Sequence, residues 1–114
     1  MTDYEGRTFR PVDAGQGDQP TAVAPATGHY HQDGDVVSAE FAGGEVRAGR
    51  LIGTVQADGT IDGAYCLLTA ETKPVAGACR STPTVLADGR IRLTEQWQRL
   101  DGSSGVSHVE EVAP

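Results

Sequence analysis

The sequence predicts an all-β chain folded as an eight-stranded antiparallel up-and-down β-barrel with no substantial helix, and three observations carry that prediction. Asp-Gly recurs at Asp33-Gly34, Asp58-Gly59 and Asp88-Gly89, with Gly43-Gly44 as a fourth tight site, each between residues that favour strands. Two-residue Asx-Gly and Gly-Gly loops suit type I′ turns, whose positive φ values match the twist of the flanking strands. No segment repeats apolar residues at i, i+3, i+4 over a helical length. The strands that remain are evenly spaced and supply little apolar surface. Closing them into a barrel removes the exposed edges that an open sheet or a two-sheet sandwich, the rival arrangements, would leave.

The elements follow in order. Strands are expected at roughly 5–12, 27–32, 35–42, 45–56, 60–69, 75–86, 90–100 and 105–113. The whole of 1–114 reads as a single barrel domain. Longer polar breaks separate the later strands at Glu71-Thr72-Lys73-Pro74 and Asp101-Gly102-Ser103-Ser104. Residues 13–26, rich in Gly, Gln, Pro, Thr and Ala, are too long for a hairpin and read as a loop or lid.

Treating each turn as a simple hairpin fixes which residues share a face. Phe41 then faces Val46, Val37 faces Arg50 and Tyr30 faces Val37. Further along, Ile52 faces Tyr65, Tyr65 faces Arg80, Arg80 faces Trp97, Trp97 faces His108 and Glu95 faces Glu110. These pairs chain into one interior face, which Phe9 joins, with Arg7 on its side. Glu40, Arg47, Ser81, Arg92, Thr94, Gln96 and Gln98 fall on a solvated exterior. The three Asp-Gly turns lie at one end, above an apolar floor of Ile61, Leu86, Ile91, Leu93 and Val112.

Midway up the barrel this register gathers Tyr65, Arg80, Trp97, His108, Glu95 and Glu110, with Tyr30 and Arg50 on the adjoining wall. An eight-stranded barrel is just wide enough to be filled by side chains or to hold one small ligand. Charges there must be paired, neutralised or hydrated. One reading is an internal salt-bridge network built on Arg80 and Glu95. The other is a pocket: apolar floor, aromatic walls and a few convergent polar groups. Two opposed carboxylates cannot easily both ionise, so Glu95 and Glu110 would be pushed apart in pKa. Beside His108, either could then act as general acid or base.

Other features point away from cofactor chemistry. Cys66 faces Cys79 on the exterior in this register and the pair reads as two reduced thiols, with a disulfide as the alternative. His29 and His31 alternate with Tyr30 and point outward, so no metal site is expected. Gly49, Gly53 and Gly63 lie within strands and lack the helix that a phosphate site requires. No cofactor is expected. The net charge of −7 and a pI near 4.7 argue against nucleic-acid and anionic-membrane partners. No long apolar span and no signal peptide are visible, which predicts a cytoplasmic location. A homodimer is compatible with the composition.

Gly6-Arg7-Thr8-Phe9-Arg10, Leu51-Ile52-Gly53-Thr54-Val55, Cys79-Arg80-Ser81-Thr82-Pro83 and Gly89-Arg90-Ile91-Arg92-Leu93-Thr94-Glu95-Gln96-Trp97 resemble segments of a small bacterial family. Its members have about this length and are often labelled N-acetylglutamate synthase. The resemblance spans residues 5–112. Enzymes that earn that label bind acetyl-CoA through a strand-loop-helix element in an α/β fold, which this chain lacks, so the label is expected not to describe its chemistry. The architecture is similar to the calycin barrels of lipocalins, avidins and fatty-acid-binding proteins.

The functional expectation is a small-molecule-binding barrel. Its lumen residues would be Tyr30, Arg50, Tyr65, Arg80 and Trp97, and the arginines favour a ligand with a carboxylate or other oxyanion. The first alternative is an acid–base enzyme of isomerase, cyclase or lyase type in the same lumen, using Glu95, Glu110 and His108 with oxyanion support from Arg80 and Tyr65. The second is a filled barrel acting through its surface.

Overall fold

The structure is a computed structural model that describes residues 3–12 and 26–112. Eight strands close into an up-and-down barrel. They are β1 (Thr8–Val12), β2 (Thr27–Asp33), β3 (Val36–Gly43), β4 (Val46–Val55), β5 (Ile61–Thr69), β6 (Pro74–Val85), β7 (Ile91–Arg99) and β8 (Ser104–Glu111). Every neighbouring pair is antiparallel, and β1 pairs with β8 to complete the ring. The fold class is therefore the expected one. Most of the lid segment expected at 13–26 lies outside the described residues. Among the described residues no helix is long and apolar enough to cross a membrane.

Four loops differ from the two-residue turns expected at 58–59 and 88–89 and the longer breaks expected at 71–74 and 101–104, and the difference resets the register. At the β4–β5 hairpin the Gln56 N–H donates to Thr60 O at 2.7 Å and the Gly59 N–H to Gln56 O at 2.9 Å. Gly59 has φ +90°, whereas Asp58 is not left-handed. This is a three-residue loop, a type I turn closed by one left-handed residue, and not the I′ turn that needs two. The same bonds recur at Leu86–Arg90, Thr69–Lys73 and Arg99–Ser103, with Gly89, Thr72 and Gly102 in the left-handed place.

Each such loop moves the pairing by an odd number of residues, which turns a strand over. Ile61 faces Val55 and not Gln56, and Tyr65 faces Leu51 and not Ile52. Across β5–β6 Tyr65 faces Gly77, while Arg80 faces Asp62. Across β6–β7 Trp97 faces Cys79, and across β7–β8 it faces Gly105. An irregularity after Phe41 likewise puts Phe41 opposite Gly49. The outcome alternates. β3, β5 and β7 present the expected faces inward, while β4, β6 and β8 are inverted.

The inner face at the Asp-Gly end is a packed floor. Val37, Val55, Ile61, Ile91 and Leu93 are buried there, each worth roughly 1.5–3 kcal/mol if a large side chain is fully withdrawn from water. Of the other expected floor residues, Leu86 is half-buried and Val112 is exposed at the rim. Their place is taken by Tyr4, which precedes β1 and is fully buried. Its hydroxyl donates to Gly59 O at 2.5 Å, and its ring packs on Phe9 and Tyr30 with centroids 6.4 and 6.1 Å away. Beside it the Glu111 carboxylate accepts from Arg7 Nη1 at 2.8 Å and from the Ile91 N–H at 3.1 Å, tying the last strand to the floor.

Candidate ligand cavity

Among the described residues the barrel is open above the floor. A cavity of about 290 Å³ extends towards the end that carries the loops at 43–44, 70–72 and 100–102. Two aromatic walls are set by cross-strand glycines. The Phe41 ring lies across Gly49, so closely that a Cβ there would collide with it. The Trp97 ring lies across Gly105, where a Cβ would sit 2.5 Å from the ring. A glycine opposite each ring is what lets it lie along the barrel wall. Leu51, Tyr65, Leu67 and Val109 complete the apolar lining.

Polar groups interrupt this lining at two depths. Deep in the cavity Glu95 projects from β7, opposite Ser81 and Ser107. Its carboxylate accepts one long hydrogen bond from Ser81 Oγ at 3.4 Å. Burial pushes its pKa up from 4.5 to about 7, against which the Ser81 contact works weakly. Tyr30 and Cys79 share the space. Burial and then the Glu95 charge hold the Tyr30 phenol well above its ordinary value. The same two causes push the Cys79 thiol up to about 11. Both groups therefore stay neutral near pH 7.

Nearer the mouth, Trp97 Nε1 donates to Ser107 Oγ at 2.9 Å. Two residues on, Arg99 points into the same cavity with its guanidinium carbon 5.0 Å from the Trp97 ring centroid. Its Nε is buried and finds no hydrogen-bond partner among the described residues. Asp101 feels the Arg99 charge but accepts its hydrogen bonds from Ser103.

The structure thus brings together Tyr30, Tyr65, Glu95 and Trp97, and it removes four other residues from the centre of the expected site. Arg80 is outside, paired with Asp62 at 2.8 Å. Arg50 is exposed, its Nη1 donating to the carbonyl of Gly49 at 2.8 Å. Glu110 is outside, held by Arg92 and, at 3.8 Å, by Arg90. His108 contributes to the cavity wall, but it pairs with Thr94 on the outer register and its Nδ1 lies 3.2 Å from Thr94 Oγ1. The cause is the inversion of β4, β6 and β8. The raised carboxyl expected from a Glu95–Glu110 pair is found at Glu95, but desolvation raises it and not a like charge. Cys66 and Cys79 do not face each other either: Cys66 is exposed, Cys79 is buried in the lumen, and both are free thiols. His29 and His31 point outward, bonded to Thr8 and Glu40.

Sequence reasoning missed Tyr4 and Arg99. Arg99 was within reach, because Glu95, Trp97 and Arg99 alternate on one strand and must share a face.

A closed floor, an open aromatic cavity and meander connectivity define a calycin-like barrel, a class known for binding small molecules. The chain belongs to the avidin-like protein family, whose model matches residues 2–112. No curated protein and no solved structure matches it.

Proposed function

We propose that the protein binds a small molecule in the barrel cavity and that the ligand carries a carboxylate or other oxyanion, seated at the mouth against Arg99. Tyr65 and Trp97 flank its apolar body, and Tyr30 and Glu95 meet its inner end. The observation that carries this reading is the Arg99 side chain: an arginine aimed into an apolar cavity, with a buried Nε that lacks a partner among the described residues. A buried donor left unpaired costs about 1–3 kcal/mol, and an incoming oxyanion removes that cost.

Trp97 is the sole tryptophan, so its fluorescence reports the cavity directly. Titration with para-methylbenzoate and with para-methylbenzamide separates charge from shape. The acid is expected to bind about tenfold more tightly than the amide, the usual scale for one charge-assisted hydrogen bond. Arg99→Gln should erase that difference. Equal binding of acid and amide by the wild type would sink the reading.

An acid–base enzyme is the second reading, and Glu95 favours it. A carboxyl held near 7 is matched to proton transfer at neutral pH. With Glu110 on the outer face and His108 at the wall but bonded to Thr94, that chemistry rests on Glu95. Its signature is a Glu95→Gln variant that still binds ligand but no longer turns it over.

A further inference from the structure

Glu95, Trp97 and Arg99 form an array on one strand: carboxyl deep, indole between, guanidinium at the mouth. Alternate residues on a strand lie on one face, and four residues span about 13 Å between Cα atoms. Both charged ends are short of partners. Among the described residues Arg99 Nε has none, and Glu95 has the single long bond from Ser81.

We propose that the cavity is built for a dipolar ligand, with a protonated nitrogen at the inner end against Glu95, a flat apolar body beside Trp97 and an oxyanion at the mouth against Arg99. The outer half of this statement rests on the function proposed above. The inner half is new, and it follows from what surrounds Glu95. No cation of the described residues pairs with that carboxylate. The titratable groups that share its space are Tyr30 from β2 and Cys79 from β6, both held neutral. From β7 itself come Trp97 and, further out, Arg99. From β8 come Ser107 and the wall contribution of His108. On the floor the Arg7 charge is already engaged by Glu111. A second ligand oxyanion at this depth would meet a carboxylate and apolar walls. An ammonium, amidinium or similar N–H group would meet its complement. Cavity size agrees, because about 290 Å³ accommodates one substituted ring.

Binding should then be linked to a proton. The inner nitrogen favours ionised Glu95, so affinity should rise as the pH passes through the range where the empty site loses its proton.

The probe is para-(aminomethyl)benzoate, compared with para-methylbenzoate, which has the same ring and carboxylate but no nitrogen. Trp97 fluorescence and calorimetry are read at pH 6 and pH 8 on wild type, Glu95→Gln and Arg99→Gln. The wild type should bind the amino compound about tenfold more tightly than the methyl compound at pH 8. Its affinity for the amino compound should rise by up to about tenfold from pH 6 to pH 8, the change in the ionised fraction of a group titrating near 7. Glu95→Gln should lose both the preference and the pH dependence. Equal binding of the two probes with an intact Arg99 effect would overturn the inner-end assignment and leave the oxyanion site standing. Binding of neither probe, or binding indifferent to Arg99→Gln, would overturn both. A variant that fails to fold is replaced by Glu95→Asp, which keeps the charge and should keep the pH dependence.

Discussion

The two halves of this barrel are made from the same strands and solve opposite problems. The floor half is filled. Tyr4, Phe9, Val37, Ile61 and Leu93 are buried there, and its polar groups are paired, Tyr4 to Gly59 and Arg7 to Glu111. The mouth half is open. Its aromatic rings lie along the wall against glycines, and among the described residues its charged groups, Glu95 and Arg99, lack the ion-pair partners their counterparts below possess. Satisfied polar groups stabilise a fold, and unsatisfied ones beside a cavity are available to a ligand. Stability and binding should accordingly separate by depth.

The largest effect tests the floor. Tyr4→Ala removes a fully buried ring and the hydroxyl that donates to Gly59 O, and should lower stability by about 3–5 kcal/mol, the range for aromatic truncation in a core. Burial pushes the Tyr4 phenol up to about 12, so the hydroxyl remains a donor throughout the usual pH range. Tyr4→Phe should therefore cost only about 1–2 kcal/mol, the loss of one buried hydrogen bond, at every pH from 5 to 9. Urea denaturation measures both. If Tyr4→Phe changed the affinity for para-methylbenzoate as much as it changed stability, the division between floor and mouth would be wrong.

The next effect tests the open half. Glu95 is ionised near 4.5 when unfolded and near 7 when folded. Between those values the folded protein holds the extra proton, so stability falls as pH rises through that window and levels off above it. The whole span corresponds to roughly 3 kcal/mol as an upper bound. Glu95→Gln removes the titration. It should raise the melting temperature at pH 8, with the gain shrinking towards zero as the pH approaches 4.5. A gain that was the same at pH 5 and pH 8 would mean that burial does not strain this carboxylate.

Much of this was legible in the chain. The Asp-Gly sites located the hairpins, the absence of a helical period excluded helices, and alternation on β3, β5 and β7 correctly faced Phe41, Tyr65, Glu95 and Trp97 inward. The faces of β4, β6 and β8 were not legible because the pairing shift at each connection was not: an irregularity after Phe41 turned β4 over, and three-residue loops stand before β6 and β8 where longer breaks were expected. Asp-Gly serves both the two-residue I′ loop and the three-residue loop closed by a left-handed glycine. The dipeptide is the same, but the pairing shifts by one residue. Successive odd shifts cancel, so every second strand came out right and the strands between came out reversed. Arg50 was misplaced by the irregularity after Phe41, Arg80 by the loop at 70–72, and His108 and Glu110 by the loop at 100–102. Tyr4 was illegible for another reason: it lies outside any alternating run, and only the closed barrel reveals the hole it fills.

The smallest expected effect isolates that loop geometry. Of the four three-residue loops, three place glycine in the left-handed position and the β5–β6 loop places Thr72 there, at φ +66°. A β-branched residue is strained in that conformation by about 1–2 kcal/mol. The Arg47 Nη1 bond to Thr72 Oγ1 at 2.9 Å, exposed to solvent, offsets little of it. Thr72→Gly should therefore stabilise the protein by about 1 kcal/mol or slightly less, since glycine also gains freedom in the unfolded chain. The loop lies at the mouth end, but Thr72 does not line the cavity, so probe affinity should not move. Stabilisation without a change in binding would show that the hairpin at 69–73 sets register and not recognition. A loss of stability would mean that Thr72 holds its conformation through contacts worth more than its backbone strain, and the likeness among the four loops would end at their hydrogen bonds.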